Sequence, residues 1–235
     1  MSVYLSVSIN DVDMFRTYRM ALKDRHYAQP PEPKTFFQDV PGADSSLDLS
    51  TATAGRVVYN RRTMTLNFGC GYEINVWPRI YSEILQKFHG KEGKLIFDDD
   101  PMYYYIGRMS ISDYSRINRL GTFTMTVNAD PYKYELTAGD EDWLWDPLDL
   151  ENGIIREYKD LQVSGSMTLL IDGTEKWVIP EITVSADMKV SFEGKDYDLK
   201  QGVNKIYSIV IKPGENTLTF TGNGTVSVAY RGAIL

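Results

Sequence analysis

Apolar residues recur along this chain with two periods. Between Val76 and His89 they fall at Trp77, Ile80, Tyr81, Ile84, Leu85 and Phe88. The spacing i, i+3, i+4, i+7, i+8, i+11 lines one face of an α-helix. Arg79, Glu83, Gln86 and Lys87 lie off the stripe. Asn75 is placed to cap the N-terminus, Pro78 is tolerated in the first turn, and Gly90 supplies a left-handed stop. Such a helix should pack on a sheet. Period two governs elsewhere. Met64, Leu66 and Phe68 alternate with Thr63, Thr65 and Asn67, and Phe123, Met125 and Val127 alternate with Thr122, Thr124 and Thr126. Both read as half-buried strands. Residues 2–9 alternate weakly and predict an edge or pairing strand. Lys94–Asp98, Tyr103–Ser112 and Gly121–Asn128 predict three more. Val57–Tyr59 and Thr63–Phe68, separated by Asn60-Arg61-Arg62, predict a hairpin. In Asp11–Arg25 the apolar residues Val12, Phe15, Tyr18 and Leu22 fall at i, i+3, i+6 and i+10, a poor to moderate fit to a helix. Pro30-Pro31-Glu32-Pro33 is a stiff connection, because each proline lacks an N–H and restricts the residue before it.

The pattern changes after Thr137. Thr137–Gly153 is acidic and punctuated by Gly139 and Pro147, which reads as a linker or loop carrying Trp143 and Trp145. From Ile154 short alternating runs are separated by turn signals. Val163–Ile171 ends at Asp172-Gly173, and Glu181–Ala186 follows Pro180. Lys189–Phe192 turns at Glu193-Gly194-Lys195-Asp196, and Lys205–Ile211 ends at Lys212-Pro213-Gly214-Glu215. Asn216–Thr221 turns at Gly222-Asn223-Gly224 before Thr225–Tyr230. Hairpins in this order predict a β-sandwich of about 80 residues, near the lower size at which one core suffices. The chain is therefore expected to be all-β with one helix, in a domain over residues 1–136, a linker over 137–153 and a second domain over 154–235.

Composition narrows the function. Of 235 residues 43% are hydrophobic and 24% charged, an ordinary globular balance. No apolar run approaches the ~20 residues needed to cross a bilayer. No charged segment followed by an apolar one opens the chain, so no secretory signal is expected. The net charge of −7 argues against a protein that wraps or reads nucleic acid, which needs clustered Lys and Arg. The single cysteine, Cys70, lies between Gly69 and Gly71 without a nearby His. It suits a reducing cytosol, and reads as a small residue near a strand end rather than a nucleophile.

Candidate chemistry is thin. Asp98-Asp99-Asp100 offers carboxylates to a hard cation, but consecutive residues point in different directions and a solvated turn is the better reading. His26 and His89, the only histidines, stand in no nucleophile or metal-ligand arrangement. Gly69-Cys70-Gly71 is too short for a phosphate loop and does not sit at a helix start. Nothing in the sequence selects a carboxylate pair. Trp177, Trp143 and Trp145 could stack on sugar rings, with core or interface packing the favoured alternative. No catalytic, cofactor-binding or metal residue is assigned.

Several short motifs carry a resemblance when taken in order. Pro33-Lys34-Thr35 precedes Val40-Pro41-Gly42-Ala43-Asp44, then Leu47-Asp48-Leu49, then the pair Asn60-Arg61. His89-Gly90-Lys91, the run Asp98-Asp99-Asp100-Pro101 before Tyr103-Tyr104-Tyr105, and Asp130-Pro131-Tyr132-Lys133 follow. Over residues 1–135 this order resembles the distal tail (Dit-like) protein family of siphophages, departing at Ser45, where the family usually has Gly. The ending Gly224–Arg231 with Leu235 is similar too. The resemblance implies a β-sandwich or split-barrel-like domain that forms a ring, followed by a galectin-like or carbohydrate-module-like sandwich that projects outward. It also implies strands and loops, rather than a helix, over Asp11–Arg25. The implied role is structural and non-enzymatic. Six copies form a ring at the distal end of a tail tube, made in the host cytoplasm and placed at the virion tail tip. The partners would be the tail tube protein, the tail-tip hub or tail-associated protein and receptor-binding proteins, with genome DNA passing through unbound. No cofactor is implied. The Pro-rich connection and the Val57–Phe68 hairpin are candidate inter-subunit arms, with Tyr59, Arg61, Arg62, Phe36 and Phe37 as candidate contact residues and Trp177 as the candidate sugar-stacking residue. Two other readings remain: carbohydrate binding through the second domain, and an enzyme whose acidic site is hidden from sequence.

Overall fold

Most of the period-two segments are strands in the computed structural model, which describes residues 5–24, 28–71, 76–117, 119–141 and 157–235. The chain divides into two compact units. One runs to Asp100, resumes over Tyr104–Pro131 and takes Leu235; the other holds Pro101–Tyr103 and Tyr132–Ile234.

The first unit contains β1 (Val7–Ile9), β2 (Val12–Asp13), α1 (Met14–Tyr18), β3 (Ala21–Leu22), β4 (Phe37–Gln38), β5 (Leu47–Asp48), β6 (Arg62–Gly71), α2 (Trp77–Phe88), β7 (Glu92–Phe97), β8 (Tyr103–Ile117) and β9 (Leu120–Ala129). Seven strands form an antiparallel sheet in the order β2-β1-β7-β8-β9-β6-β3. At its centre Met64 faces Val127, Leu66 faces Met125 and Phe68 faces Phe123. All six are buried, and the two phenylalanine rings stack at 5.0 Å. Trp77, Ile80, Ile84 and Phe88 of α2 share this core, with Tyr81 and Leu85 half-buried at its edge. The helix lies where its stripe predicts. Gly90 follows it with φ +73°, as expected of a left-handed stop. Val76, the residue before the helix, makes no side-chain cap, and Asn75 lies outside the described residues.

Two expectations are corrected here. Asp11–Arg25 is not all extended: α1 makes one helical turn, capped by the Asp13 carboxylate, which accepts from the Arg16 N–H at 2.9 Å. The turn ends at Arg19 in the left-handed region, φ 52°. It forms because Met14 and Tyr18, at i and i+4, both bury in the core. Nor does Val57–Phe68 fold into a hairpin. Tyr59 bridges Pro33, while β6 pairs with β9 and β3. The apolar face of residues 64–68 is matched position by position by residues 123–127; Val57–Tyr59 offers no such partner.

The second unit holds β10 (Lys133–Glu135), β11 (Leu161–Gly173), β12 (Glu181–Val184), β13 (Met188–Phe192), β14 (Lys195–Leu199), β15 (Gly202–Lys205), β16 (Gly214–Ala229) and β17 (Ala233–Ile234). The sheet runs β14-β13-β16-β12-β15, with β11 also on β16 and β10 paired with β17. Glu193-Gly194 turns β13 into β14, both residues at positive φ, as a two-residue hairpin requires. Gly222-Asn223-Gly224 is not a turn. β16 runs straight through it, and a Cβ at Gly222 would lie 2.6 Å from Met188 Cβ. These glycines admit a close backbone approach instead of reversing the chain. β11 ends at Gly173, as expected, whereas the expected strand Lys205–Ile211 gives way to a turn in which Ile209 N–H donates to the Ile206 carbonyl at 3.0 Å. Ile182, Val190, Leu218, Phe220, Val228 and Tyr230 form this unit's own core.

The start of the expected linker is tied to the second unit. Gly139 N–H donates to the Tyr230 carbonyl at 2.8 Å, and Arg231 pairs with Glu141 at 3.0 Å. Residues 142–153, including Trp143 and Trp145, lie outside the described residues.

Candidate assembly surface

No residue between Glu32 and Asn60 is buried. The excursion is closed at its root by the Pro33–Tyr59 bridge, where Lys34 N–H donates to the Val58 carbonyl and Asn60 N–H to the Glu32 carbonyl, both at 2.8 Å. Proline suits this root, since an edge bridge leaves its missing N–H uncalled for. Beyond it β4 and β5 pair through Phe37–Asp48 and Gln38–Leu47. Ala43 N–H donates to the Val40 carbonyl at 3.1 Å across Pro41-Gly42, and Gly42 has φ +84°. Proline then glycine at positive φ is the chemistry of a type II turn. Ser50 Oγ accepts from Phe36 N–H at 2.9 Å, and Asp48 accepts from Ser50 N–H at 2.8 Å. Hydrogen bonds from Ser50 hold the Asp48 carboxyl below its usual range.

This ordered arm exposes its large apolar side chains: Phe36 57%, Phe37 58%, Val40 46% and Leu47 54%. Two-residue strands lack the means to be stable alone in water. Exposed apolar side chains gathered on one element are a feature that interaction surfaces share.

The other candidate contact residues scatter. Tyr59 is half-buried in the root bridge. Arg61 is exposed and pairs with Asp130 at 2.6 Å and Glu92 at 4.0 Å. Arg62 is buried, lying 5.2 Å over the Tyr105 ring and donating to the Pro131 carbonyl. Burial lowers its pKa. Parity explains this: residue 62 shares a strand face with Met64, Leu66 and Phe68, so its guanidinium serves the chain's interior rather than its surface. Trp177 is half-buried, with Lys212 Nζ 5.7 Å from its ring centroid.

Other reactive groups have internal partners. His89 Nδ1 accepts from Ile111 N–H at 3.0 Å, which holds the ring against β8. Asp98 accepts from Ser6 N–H at 3.1 Å. Cys70 is buried, and burial pushes its thiol up to about 11. Among the described residues no three His, Cys, Asp or Glu side chains converge in a group that could hold a metal. The Tyr18 hydroxyl, buried and pushed up to about 12, donates to Glu83 at 2.9 Å and so joins α1 to α2. Sequence periodicity placed Glu83 correctly off the apolar stripe but carried no sign of this bond.

No protein-family model and no curated protein matches the sequence. Among solved structures the chain is similar to the Dit protein (gp 19.1) of phage SPP1, over 98% of this chain and 99% of that one, with a TM-score of 0.64 and 12% identity. The fold is that of SPP1 Dit. SPP1 Dit is described as a paradigm of the hub adsorption apparatus in phages that infect Gram-positive bacteria. An all-β chain with few helices is common to the expectation and the finding, although the described residues form two helices rather than one.

Proposed function

We propose that the protein is a structural, non-enzymatic component of a phage tail tip, forming a six-fold ring at the distal end of the tail tube. The observation that carries this reading is the end-to-end likeness to SPP1 Dit, which spans both units. The exposed apolar arm supports it, because a ring built from one chain needs surfaces that stay uncovered until neighbours arrive. In this reading the first unit forms the ring. One face of the ring meets the last ring of the tube protein, and the other meets the tip hub and receptor-binding proteins. DNA passes through without specific binding, which suits a subunit of net charge −7. Sedimentation velocity with negative-stain imaging tests this: a closed six-membered ring is expected. A chain that stays monomeric at high concentration and fails to enter assembling tails overturns it.

A further inference from the structure

The arm has a chemical complement on the same unit, at the tip of the β8–β9 hairpin. There Ile117 is 69% exposed, Leu120 63% and Tyr114 41%, flanked by exposed Arg116 and Arg119. The tip is built to stand out. β8 is bulged between Ser112 and Ser115, with Asp113 at φ 55°. Behind the bulge Tyr114 stacks on Trp77 at 5.9 Å, which anchors the hairpin to the helix. Between Tyr114 and Leu120 there is no acidic residue. The arm has the opposite character: from Thr35 to Gly55 it carries Asp39, Asp44 and Asp48 and no Lys or Arg.

Both surfaces are apolar and exposed; the outer loop of the arm is acidic and the tip is basic, with Lys34 and Arg56 nearer the arm's root and Asp113 in the bulge beneath the tip. Two arms brought together would set aspartates against aspartates, and two tips would set arginines against arginines. Like charges across an interface suppress such pairings. We infer that the Phe36–Asp48 arm of one copy docks on Tyr114, Ile117 and Leu120 of the β8–β9 hairpin of a neighbouring copy. This rests on the ring reading above and names the surfaces that close it. A contact between two different surfaces of one chain is head-to-tail, so each copy offers one arm and receives one, and the series closes into a ring or continues as a filament. The arm's apolar side chains bury on Ile117 and Leu120, and the aspartates meet Arg116 and Arg119 at the rim, where they set encounter rate and register.

The test exploits the charge logic in the full chain. One variant reverses the arm (D44R with D48R), leaving it with a basic arm and a basic tip. The other reverses the tip (R116E with R119E), leaving it acidic at both. Each alone should associate about tenfold or more weaker than the native chain at low salt. Mixed in equal amounts, the basic arm fits the acidic tip and the acidic arm fits the basic tip, so association should return, with the two variants alternating. Sedimentation velocity on each variant and on the mixture reads this, with one variant fluorescently labelled. Recovery on mixing also excludes a folding defect, since misfolded chains do not rescue each other. If the native chain forms a ring that both variants form equally well, or if the mixture stays dissociated, the arm-to-tip contact is wrong while the ring stands. A native chain that is monomeric under every condition overturns both.

Discussion

Two antiparallel pairs in the first unit are made of similar residues and end in opposite places. β6 and β9 stack Phe68 on Phe123 in a core that excludes water. β4 and β5 hold Phe37 and Leu47 in solvent, with Phe36 exposed just before β4. The difference is not apolarity. β6 and β9 are ten residues each, paired along their whole length, with α2 sharing their core. The arm pairs over two residues per strand, and among the described residues nothing buries its side chains. On the proposed ring reading, the second layer for these apolar residues comes from a neighbouring copy. A substitution in the ladder or its helix should therefore cost stability, and one in the arm should cost association.

The largest effect is expected at Ile84, buried at the centre of the α2 stripe. Ile84→Asp places an unpaired carboxylate in the core at a cost of several kcal/mol, on the order of a domain's whole stability. Denaturant titration should find the first unit unfolded; native-like stability would mean that the helix faces the other way. Next is Gly121, where an added Cβ would lie 2.3 Å from the Trp77 ring. Gly121→Ala should cost about 1–3 kcal/mol through overpacking, read as a lower thermal midpoint. An unchanged midpoint would show that Trp77 yields freely.

Tyr18→Phe is a smaller lesion. It removes the bond to Glu83 and should cost about 1 kcal/mol at neutral pH. It should also change the alkaline limb. Burial, then Glu83, raises the Tyr18 hydroxyl from 10.0 to about 12. Between those values the unfolded chain has lost a proton that the folded chain keeps, so stability falls as pH rises. The stabilisation is complete below pH 10 and lost on passing about 12. Denaturant midpoints across that window should fall less steeply in the variant, and parallel slopes would remove Tyr18 from the account. The smallest effect on stability is expected in the arm. Phe37→Ser should stay within about 0.5 kcal/mol of the native chain, as exposed positions do, while weakening self-association. Loss of stability there would mean that Phe37 packs within its own chain, and would erase the contrast between the two pairs.

Periodicity located α2 and the central strands because both are dictated by a single neighbouring layer. A stripe at 3.6 or a face at 2 must meet an apolar partner whichever way the chain travels. The arm left a fainter trace, Phe36, Phe37, Val40 and Leu47 scattered among Asp, Ser, Gly and Pro without either period. Its Pro41-Gly42 turn was legible, yet its exposure was not, since exposure depends on what the rest of the chain fails to cover. Arg62 was expected at a subunit contact as part of the Val57–Phe68 arm; its strand parity, read alongside Met64 and Leu66, pointed inward.

Local order and identity of faces were thus settled by sequence: which residues are helical over Trp77–Phe88, which side of each long strand is apolar, where Gly90 and Glu193-Gly194 change direction. These follow from backbone sterics and nearest-neighbour burial, which a short window contains. Pairing across distance was decided only in three dimensions. That β6 joins β9 instead of turning back on Val57–Tyr59, that β16 runs through Gly222-Asn223-Gly224, and that Tyr18 finds Glu83 depend on complementary partners many residues away. Each strand edge offers the same N–H and C=O groups to every candidate. The choice falls to whichever partner buries the most apolar surface without a clash, and no local stretch of sequence holds that sum.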